Sequence, residues 1–207
     1  MTQRTGTMVQ ELAMRLTKHH GLENDFLVAL AREVPRDIEK LARELCDRRT
    51  GIGADGLLLG LPGSDGADLA MVLHNADGSP AEMSGNGIRC LAQAHAMANS
   101  TGPTSLEIDT AGGRRSVTID GDQSEAQVTV AMGPVGPGPG VHADILRELG
   151  STLAATADLG NPHLVVAVED QDLIDIATIG PYYEAFYPDG INVEFISVRK
   201  NDPNALD

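Results

Sequence analysis

The pattern of apolar and polar positions along the chain predicts many short strands and few helices. Each predicted strand is either a continuous apolar run of strand length or a segment in which apolar and polar residues alternate. The predicted strands are 12–19, 26–31, 57–61, 67–74, 104–109, 115–119, 126–132, 152–158, 163–168 and 191–199. Apolar residues recur at helical spacing in 35–48 and 87–98, and a short helix is predicted at 173–177. This mixture predicts an α+β fold.

Residues 133–140 contain four glycines and three prolines, a composition that excludes a helix or a central strand. We therefore predict a Gly/Pro linker at 133–140 between an N-terminal domain, 12–132, and a second domain, 141–207. Residues 1–11 are polar, which predicts a disordered extension. Past the linker, the order of strand, Asn-containing turn, strand, helix and strand repeats the order found in the first half.

The composition excludes several classes of function. A formal net charge of -15 would repel nucleic-acid phosphates and anionic membrane surfaces, so we expect neither as a partner. No apolar run approaches the roughly 20 residues that a membrane helix needs. The two cysteines, Cys46 and Cys90, form neither a disulfide framework nor a metal-ligand spacing. We expect a cytoplasmic protein with no metal site and a small-molecule substrate.

The segment 75–90 joins a predicted strand to a predicted helix through a glycine-flanked loop. Glycines there allow a ligand to approach the backbone, and the first turn of the helix offers unpaired N–H groups to an anion. Ser84 precedes these N–H groups, and a thiol at this position would have a lowered pKa. A Gly-Asn-Gly sequence before a helix is by itself more often a well-capped turn than a ligand site.

The wider sequence is more specific. NADGS at 75–79, followed by EMSGNGIRC at 82–90, resembles the first catalytic segment of the diaminopimelate epimerases. Other segments match that family in the same order, namely 18–26, 46–56, 160–163 and 191–195. The resemblance implies two related halves, each a β-sheet or barrel wrapped around a central helix, and it implies that the second half is incomplete at residue 207.

The resemblance also implies a reaction, the interconversion of L,L- and meso-diaminopimelate without a cofactor. Two cysteines would flank the α-carbon, one as thiolate base and the other as thiol acid. Ser84 occupies the position of the first cysteine, and the second would lie beyond Asp207. An alcohol is a weak base unless a neighbour activates it, and His74, Glu82 and His163 are the candidates. We therefore expect this chain to be inactive as an epimerase.

The residues that would hold the substrate are better preserved than the catalytic ones. By resemblance they are Asn24, Asn75, Gly85, Asn86, Asn161 and Asn192, with His163 in a supporting catalytic role. The family commonly has glycine where this chain has Glu23, so the turn there is expected to differ in shape. The resemblance also implies a possible homodimer.

Two alternatives to the epimerase remain open at this point. One is a catalytically silent relative of the same fold that binds a small amino acid, and the other is a proline or hydroxyproline racemase-type isomerase. Three interpretations of Ser84 also remain: an engineered Cys→Ser change, natural divergence with loss of activity, or a serine activated by an unidentified group.

Overall fold

The computed structural model describes residues 14–121, 126–149 and 153–197. These residues divide between two compact units. The first unit contains the residues up to Thr110 together with Ser116–Val130, and the second contains Ala111–Arg115 together with the residues from Ala131 onward. The predicted extension at 1–11 lies outside the described residues.

The first part of the chain forms one large sheet and two helices. The elements are β1 (Thr17–Gly21), β2 (Asn24–Leu30), α1 (Ile38–Cys46), β3 (Gly56–Pro62), β4 (Leu69–Asn75), β5 (Pro80–Ala81), α2 (Gly85–Asn99), β6 (Thr104–Thr110), β7 (Gly113–Asp120) and β8 (Gln127–Val130). The sheet has the order β1-β2-β3-β4-β6-β7-β8, with β5 added to β4. β1 is antiparallel to β2, whereas β2 and β3 are parallel.

Helix α2 lies inside the curve of this sheet, because it contacts both edge strands, β1 and β8, as well as β2, β3 and β4. Its buried residues are mostly small, which lets the surrounding strands approach closely: Gly87, Ile88, Cys90, Leu91, Ala92, Ala94 and Ala96. Alanine also has the highest helix propensity. The predicted helix at 87–98 is confirmed, and a left-handed C-cap at Ser100 (φ 52°) ends it.

The hairpin between β1 and β2 turns through only two residues, Leu22 and Glu23. Gly21 pairs with Asn24 across the turn. Leu22 and Glu23 both have positive φ, 52° and 69°, as a two-residue turn of type I′ requires. Neither residue prefers this conformation, so the turn keeps the tight hairpin geometry at a cost in backbone energy.

Replacing Glu23 with glycine is expected to raise the free energy of unfolding by about 0.5–1 kcal/mol. The left-handed conformation costs a residue with a Cβ about 1–2 kcal/mol, and the greater freedom of glycine in the unfolded chain offsets part of that gain. Urea unfolding measures the change. Glu33→Gly, at an exposed loop position without positive φ, is the control and is expected to lower the stability. Equal effects from the two variants would contradict the strained turn.

The second unit contains a smaller sheet. Its elements are β9 (Gly136–Pro137), α3 (Ala143–Leu149), β10 (Ala154–Asp158), β11 (Pro162–Ala167), a 3-10 helix (Gln171–Leu173), α4 (Ile176–Glu184) and β12 (Asn192–Ile196). The strand order is β12-β11-β10-β9. The buried core contains Ile145, Leu164, Val166, Tyr183 and Ile191.

The two units share a topological motif. In the first, an antiparallel hairpin (β1, β2) continues through α1 to β3, which is parallel to β2. In the second, the antiparallel pair β10 and β11 continues through α4 to β12, which is parallel to β11. Asn24 opens β2 and Asn161 directly precedes β11, so each unit has an asparagine at the same point. The predicted repeat of strand, turn, strand, helix and strand is confirmed at this level.

The structure differs from the sequence predictions at three points. The predicted helix at 173–177 is wrong in position, because α4 runs from Ile176 to Glu184 with Pro181 inside it. The lost N–H of Pro181 is outweighed by the burial of Tyr183, which is 1% exposed. Helix α3 was not predicted. Residues Gly136–Pro137 of the predicted linker form an edge strand on β10, a position where proline is tolerated.

The α+β prediction is confirmed by these elements. None of the described helices is long and apolar enough to cross a membrane.

Candidate functional site

Ser84 is the N-cap of the central helix. Its backbone is extended (φ -136°, ψ 120°), and its Oγ accepts a hydrogen bond from the Gly87 N–H at 3.0 Å. The Ser84 carbonyl accepts the first helical bond, from Ile88 at 2.8 Å. A Cβ at position 87 would lie 3.1 Å from the Ser84 Cβ and 3.4 Å from Leu58 Cδ1. Glycine at 87 therefore allows Ser84 and the first turn of α2 to pack closely against Leu58 of β3.

No base contacts the Ser84 hydroxyl within the described part of the chain. Of the candidates, His74 is 7% exposed on β4 and its Nδ1 has no partner among the described residues. Glu82 makes no described hydrogen bond to Ser84 either, and His163 is bonded to groups of the second unit. Ser84 thus has the geometry of a helix cap, and nothing in the described structure removes its proton.

The two cysteines do not act as bases either. Both Cys46 and Cys90 are buried and free. Burial raises the pKa of the Cys90 thiol to about 11 and also raises the pKa of Cys46. Neither thiol is ionised near neutral pH. Among the described residues no group of histidine, cysteine and carboxylate side chains could hold a metal ion.

Gly85 and Asn86 form the first turn of α2, where backbone N–H groups have no intrahelical partner. Ser84 caps the N–H of Gly87, and no hydrogen bond from the N–H groups of Gly85 and Asn86 is found among the described residues. The Asn86 side chain accepts a hydrogen bond from Arg89 through its Oδ1. A Cβ at Gly21 would lie 3.3 Å from that oxygen, so the β1–β2 hairpin and the start of α2 are neighbours.

Asn75 ends β4, and its side chain is fixed by the turn that follows. Its Nδ2 donates to Ser79 Oγ at 3.1 Å, and that hydroxyl donates to Asp77 Oδ1 at 2.6 Å. The hydrogen bonds from Ser79 lower the pKa of Asp77. Gly78 has φ 86°, and a Cβ there would lie 2.5 Å from the Glu39 carbonyl of α1. The NADGS sequence is therefore a turn whose polar residues orient Asn75.

Asn24 is held by Asp55. The Asn24 Nδ2 donates to Asp55 Oδ2 at 2.9 Å, and the same oxygen accepts the N–H of Asp25 at 2.9 Å. The Asp55 N–H donates to the carbonyl of Asp25, and the Asp55 carbonyl accepts the N–H of Ala76, each at 2.9 Å. Asp55 therefore ties together the Asn24 hairpin, the start of β3 and the NADGS turn.

A cluster of charged residues supports this arrangement: Lys18, Asp25, Arg48 and Asp55. Arg48 Nη2 lies 2.6 Å from Asp25 Oδ1 and 2.8 Å from Asp55 Oδ1, and Lys18 Nζ lies 2.9 Å from Asp25 Oδ2. Asp25 is largely buried, with a side chain that is 14% exposed. The Arg48 guanidinium holds the pKa of Asp25 far below its usual range, and the same contact raises the pKa of Arg48.

The second unit holds Asn161, His163 and Asn192 together. His163 Nδ1 lies 2.7 Å from Glu194 Oε1, and its Nε2 lies 3.1 Å from Asn161 Oδ1. The Asn192 Nδ2 donates to the Pro162 carbonyl at 3.0 Å. His163 and Asn192 are partners across the parallel pair β11 and β12, which explains their proximity.

Arg115 orients the turn that carries Asn161. Its Nη2 donates to the carbonyl of Leu159 at 2.9 Å. Gly160 has φ 99°, and a Cβ there would lie 2.9 Å from the Gly112 carbonyl and 2.6 Å from the Arg115 guanidinium. Glycine is needed at 160 for both reasons.

The structure places Asn24, Asn75, Ser84, Gly85 and Asn86 in the first unit, connected through Asp55 and the start of α2, and the other three predicted site residues in the second unit. Sequence reasoning missed the groups that orient them: Asp55, Arg48, Glu194 and Arg115. Asp55 alone left a signal, since it is the one charged residue in the Gly-Ile-Gly-Ala-Asp-Gly loop. The partners of the other three are distant in sequence.

Comparison with known proteins identifies the family. Residues 16–136 match the family model for diaminopimelate epimerase. The diaminopimelate epimerase of Trichodesmium erythraeum is 39% identical over 199 residues, which cover 88% of this chain and 70% of the relative. That of Desulforudis audaxviator is 39% identical over 202 residues, covering 89% of this chain and 72% of the relative.

Solved structures support the fold. A hydroxyproline epimerase from Agrobacterium vitis superposes with a TM-score of 0.68 at 18% identity. The superposition covers 93% of this chain and 68% of the hydroxyproline epimerase chain. A probable proline racemase from Agrobacterium radiobacter superposes with a TM-score of 0.71 at 16% identity, with the same coverage. At such identities the likeness concerns the fold, and the sequence relationship decides the family. The chain belongs to the diaminopimelate epimerase family.

Proposed function

We propose that this chain binds diaminopimelate in the manner of its family but does not epimerise it, because a serine stands where the base should be. The observation that supports this is the hydrogen bonding of the Ser84 hydroxyl. Its oxygen caps the Gly87 N–H at 3.0 Å, and no described histidine or carboxylate is bonded to it. The hydroxyl lies in the electrostatic field of the helix N-terminus, but it is not acidic enough to ionise there.

The chemistry explains why this substitution matters. The α-proton of an amino acid is weakly acidic, so an enzyme without a cofactor needs a strong base held close to it and electrostatic stabilisation of the developing charge. A thiol at a helix N-terminus ionises readily, since the dipole favours the anion. An alcohol in the same place stays protonated at neutral pH unless a neighbouring base removes its proton.

The binding groups remain suited to a zwitterion. The free N–H groups of Gly85 and Asn86 suit a carboxylate, and the amides of Asn24 and Asn75 suit the amino group. We propose that Asn161 and Asn192 also bind the ligand from the second unit, with His163 supporting them. In this proposal the two epimerase-like domains are 12–132 and 141–207, and the segment 133–140 that connects them contributes the edge strand Gly136–Pro137.

The test is exchange of the α-proton of L,L-diaminopimelate in D₂O, followed by proton NMR, together with calorimetric binding. Diaminopimelate is expected to bind only weakly, with a dissociation constant above the micromolar range, and the rate of exchange is expected to equal that of Ser84→Ala, which lacks the hydroxyl. Exchange above that of Ser84→Ala, with the meso isomer appearing, would show that Ser84 is an activated base and would overturn the proposed inactivity. Failure to bind would overturn the proposal as a whole.

A proline or hydroxyproline racemase-type function is the second candidate, favoured by the likeness of the fold to such proteins. Proline in the same calorimetric experiment separates the two, and we expect diaminopimelate to bind more tightly. We further propose a cytoplasmic protein, consistent with two free thiols, and a homodimer, as the family resemblance implies.

A further inference from the structure

An asparagine side chain has a donor end and an acceptor end, and a ligand meets the end that the protein leaves free. In the first unit the donor end of Asn24 is occupied, because its Nδ2 donates to Asp55 Oδ2 at 2.9 Å. An ionised carboxylate only accepts hydrogen bonds, so Asp55 can hold the NH₂ group of Asn24 but never its oxygen. With one N–H of the Asn24 carboxamide anchored to Asp55, the orientation of the group is fixed, and Oδ1 is the acceptor that it presents to a ligand.

Asp55 is itself held in place. Its Oδ1 accepts from Arg48 Nη2 at 2.8 Å, and its Oδ2 accepts from the backbone N–H of Asp25 at 2.9 Å. Its own N–H and carbonyl are bonded to Asp25 and Ala76. A carboxylate fixed at this many points cannot turn to accommodate a flipped carboxamide, so the orientation of Asn24 is set before a ligand arrives.

The side-chain amide of the neighbouring asparagine, Asn75, is oriented in the same way. Asn75 pairs with Gly56, the residue after Asp55, and its Nδ2 donates to Ser79 Oγ at 3.1 Å. Both Asn24 and Asn75 thus use their NH₂ groups within the protein. Asn86 is the reverse, since its oxygen is bonded to Arg89 and its NH₂ is the end left over. Amide oxygens suit an ammonium group, whereas an NH₂ group beside a helix N-terminus suits a carboxylate.

We propose that Asp55 is a positioning residue that determines specificity: by holding the NH₂ group of Asn24, it directs the Asn24 oxygen to the ammonium group of the ligand. The inference rests on the proposed function, since it concerns the same ligand. According to this inference, Asp55 makes the site prefer an amino acid over a dicarboxylic acid that has no amino groups.

The test uses two probes, L,L-diaminopimelate and pimelate, which has the same carbon chain and carboxylates but no amino groups. The measured quantity is the ratio of their dissociation constants. In Asp55→Asn the new carboxamide can donate to Asn24, which is then free to turn its NH₂ group outward. We expect the preference for diaminopimelate to fall by about tenfold or more, because the ammonium would then face a donor.

Asp37→Asn is the matched control. It makes the same carboxylate-to-carboxamide change at an exposed position at the start of α1, where the side chain makes no capping hydrogen bond, so the preference should stay near the wild-type value. Asn24→Ala is the second variant, useful if Asp55→Asn does not fold. It removes the amide oxygen at a half-buried hairpin position and should reduce the preference as Asp55→Asn does.

Nitrogen-15 NMR of the Asn24 side-chain amide gives a readout that needs no ligand. Slow hydrogen exchange of that NH₂ group in the wild type, lost in Asp55→Asn, is the expected result; rapid exchange in the wild type would overturn the positioning role. Unchanged ligand preference in both Asp55→Asn and Asn24→Ala, with binding intact, would refute the inference alone. A wild-type protein that binds neither acid would refute the proposed function and this inference with it.

Discussion

Replacing Leu91 with alanine is expected to lower the free energy of unfolding by about 3 kcal/mol. Leu91 is fully buried on α2, at the centre of the curved sheet. Truncation removes its transfer free energy and leaves a cavity, which β3 beside it cannot easily fill because this interior strand is paired on both sides. A lower midpoint of urea unfolding at unchanged m-value would measure this.

Met97→Ala is the matched control, since Met97 lies on the same helix but is 47% exposed. Its expected cost is below about 1 kcal/mol. Gly60 adds a further check, because a Cβ there would lie 2.7 Å from Leu91 Cδ1. Gly60→Ala should therefore cost less in the Leu91→Ala background than in the wild type. Strict additivity of the two changes would contradict this close contact.

Replacing Asp25 with asparagine is expected to lower the free energy of unfolding by about 2 kcal/mol at neutral pH. The change removes the negative charge that faces Arg48 at 2.6 Å and Lys18 at 2.9 Å, and it leaves two cations around a neutral group. The figure stays below that for a fully buried pair because the Arg48 side chain is 56% exposed.

The pH dependence of this effect has a definite sign. The pKa of Asp25 is lowered in the folded protein, chiefly by the hydrogen bonds from Arg48, and the unfolded value is about 3.9. The stabilisation is therefore complete well above pH 4 and is lost as the pH falls toward the folded value. Urea unfolding at pH 7 and pH 3 should show the difference between wild type and variant narrowing at the lower pH.

Asp37→Asn is the control for the loss of a surface carboxylate. Asp37 is exposed at the start of α1, and its side chain makes no capping hydrogen bond. This variant should change the stability by less than about 0.5 kcal/mol. If Asp25→Asn behaves like Asp37→Asn, the charged cluster contributes little to stability, and its role is confined to orienting Asn24.

Local patterns in the sequence predicted the elements whose formation depends on neighbouring residues. The apolar run at 57–61 became β3, and the helical spacing at 87–98 became α2. Both signals are periodicities, which specify the buried face of an element without reference to its partners. The cap at Ser84 is equally local, because the hydroxyl and the Gly87 N–H that it accepts are three residues apart.

Local sequence signals gave wrong predictions where tertiary packing outweighed the conformational preferences of single residues. Pro181 reads as a helix breaker, yet it lies inside α4, where Tyr183 is buried in the core of the second unit. The Gly/Pro segment reads as a linker, yet Gly136–Pro137 pairs with β10 as an edge strand. Glu23 adopts a positive φ because the paired strands on either side require a two-residue turn.

The sequence by itself determined the fold class and the family, and it predicted which residues would bind the substrate and that a serine stands at position 84. Only the tertiary structure decided how those residues are oriented. Asn24 meets Asp55 from 31 positions away, and His163 meets Glu194 from the same separation. Hydrogen bonds over such separations depend on which strands pair and in which register, and no local pattern encodes that pairing. The end of each amide that faces a ligand is therefore a property of the fold.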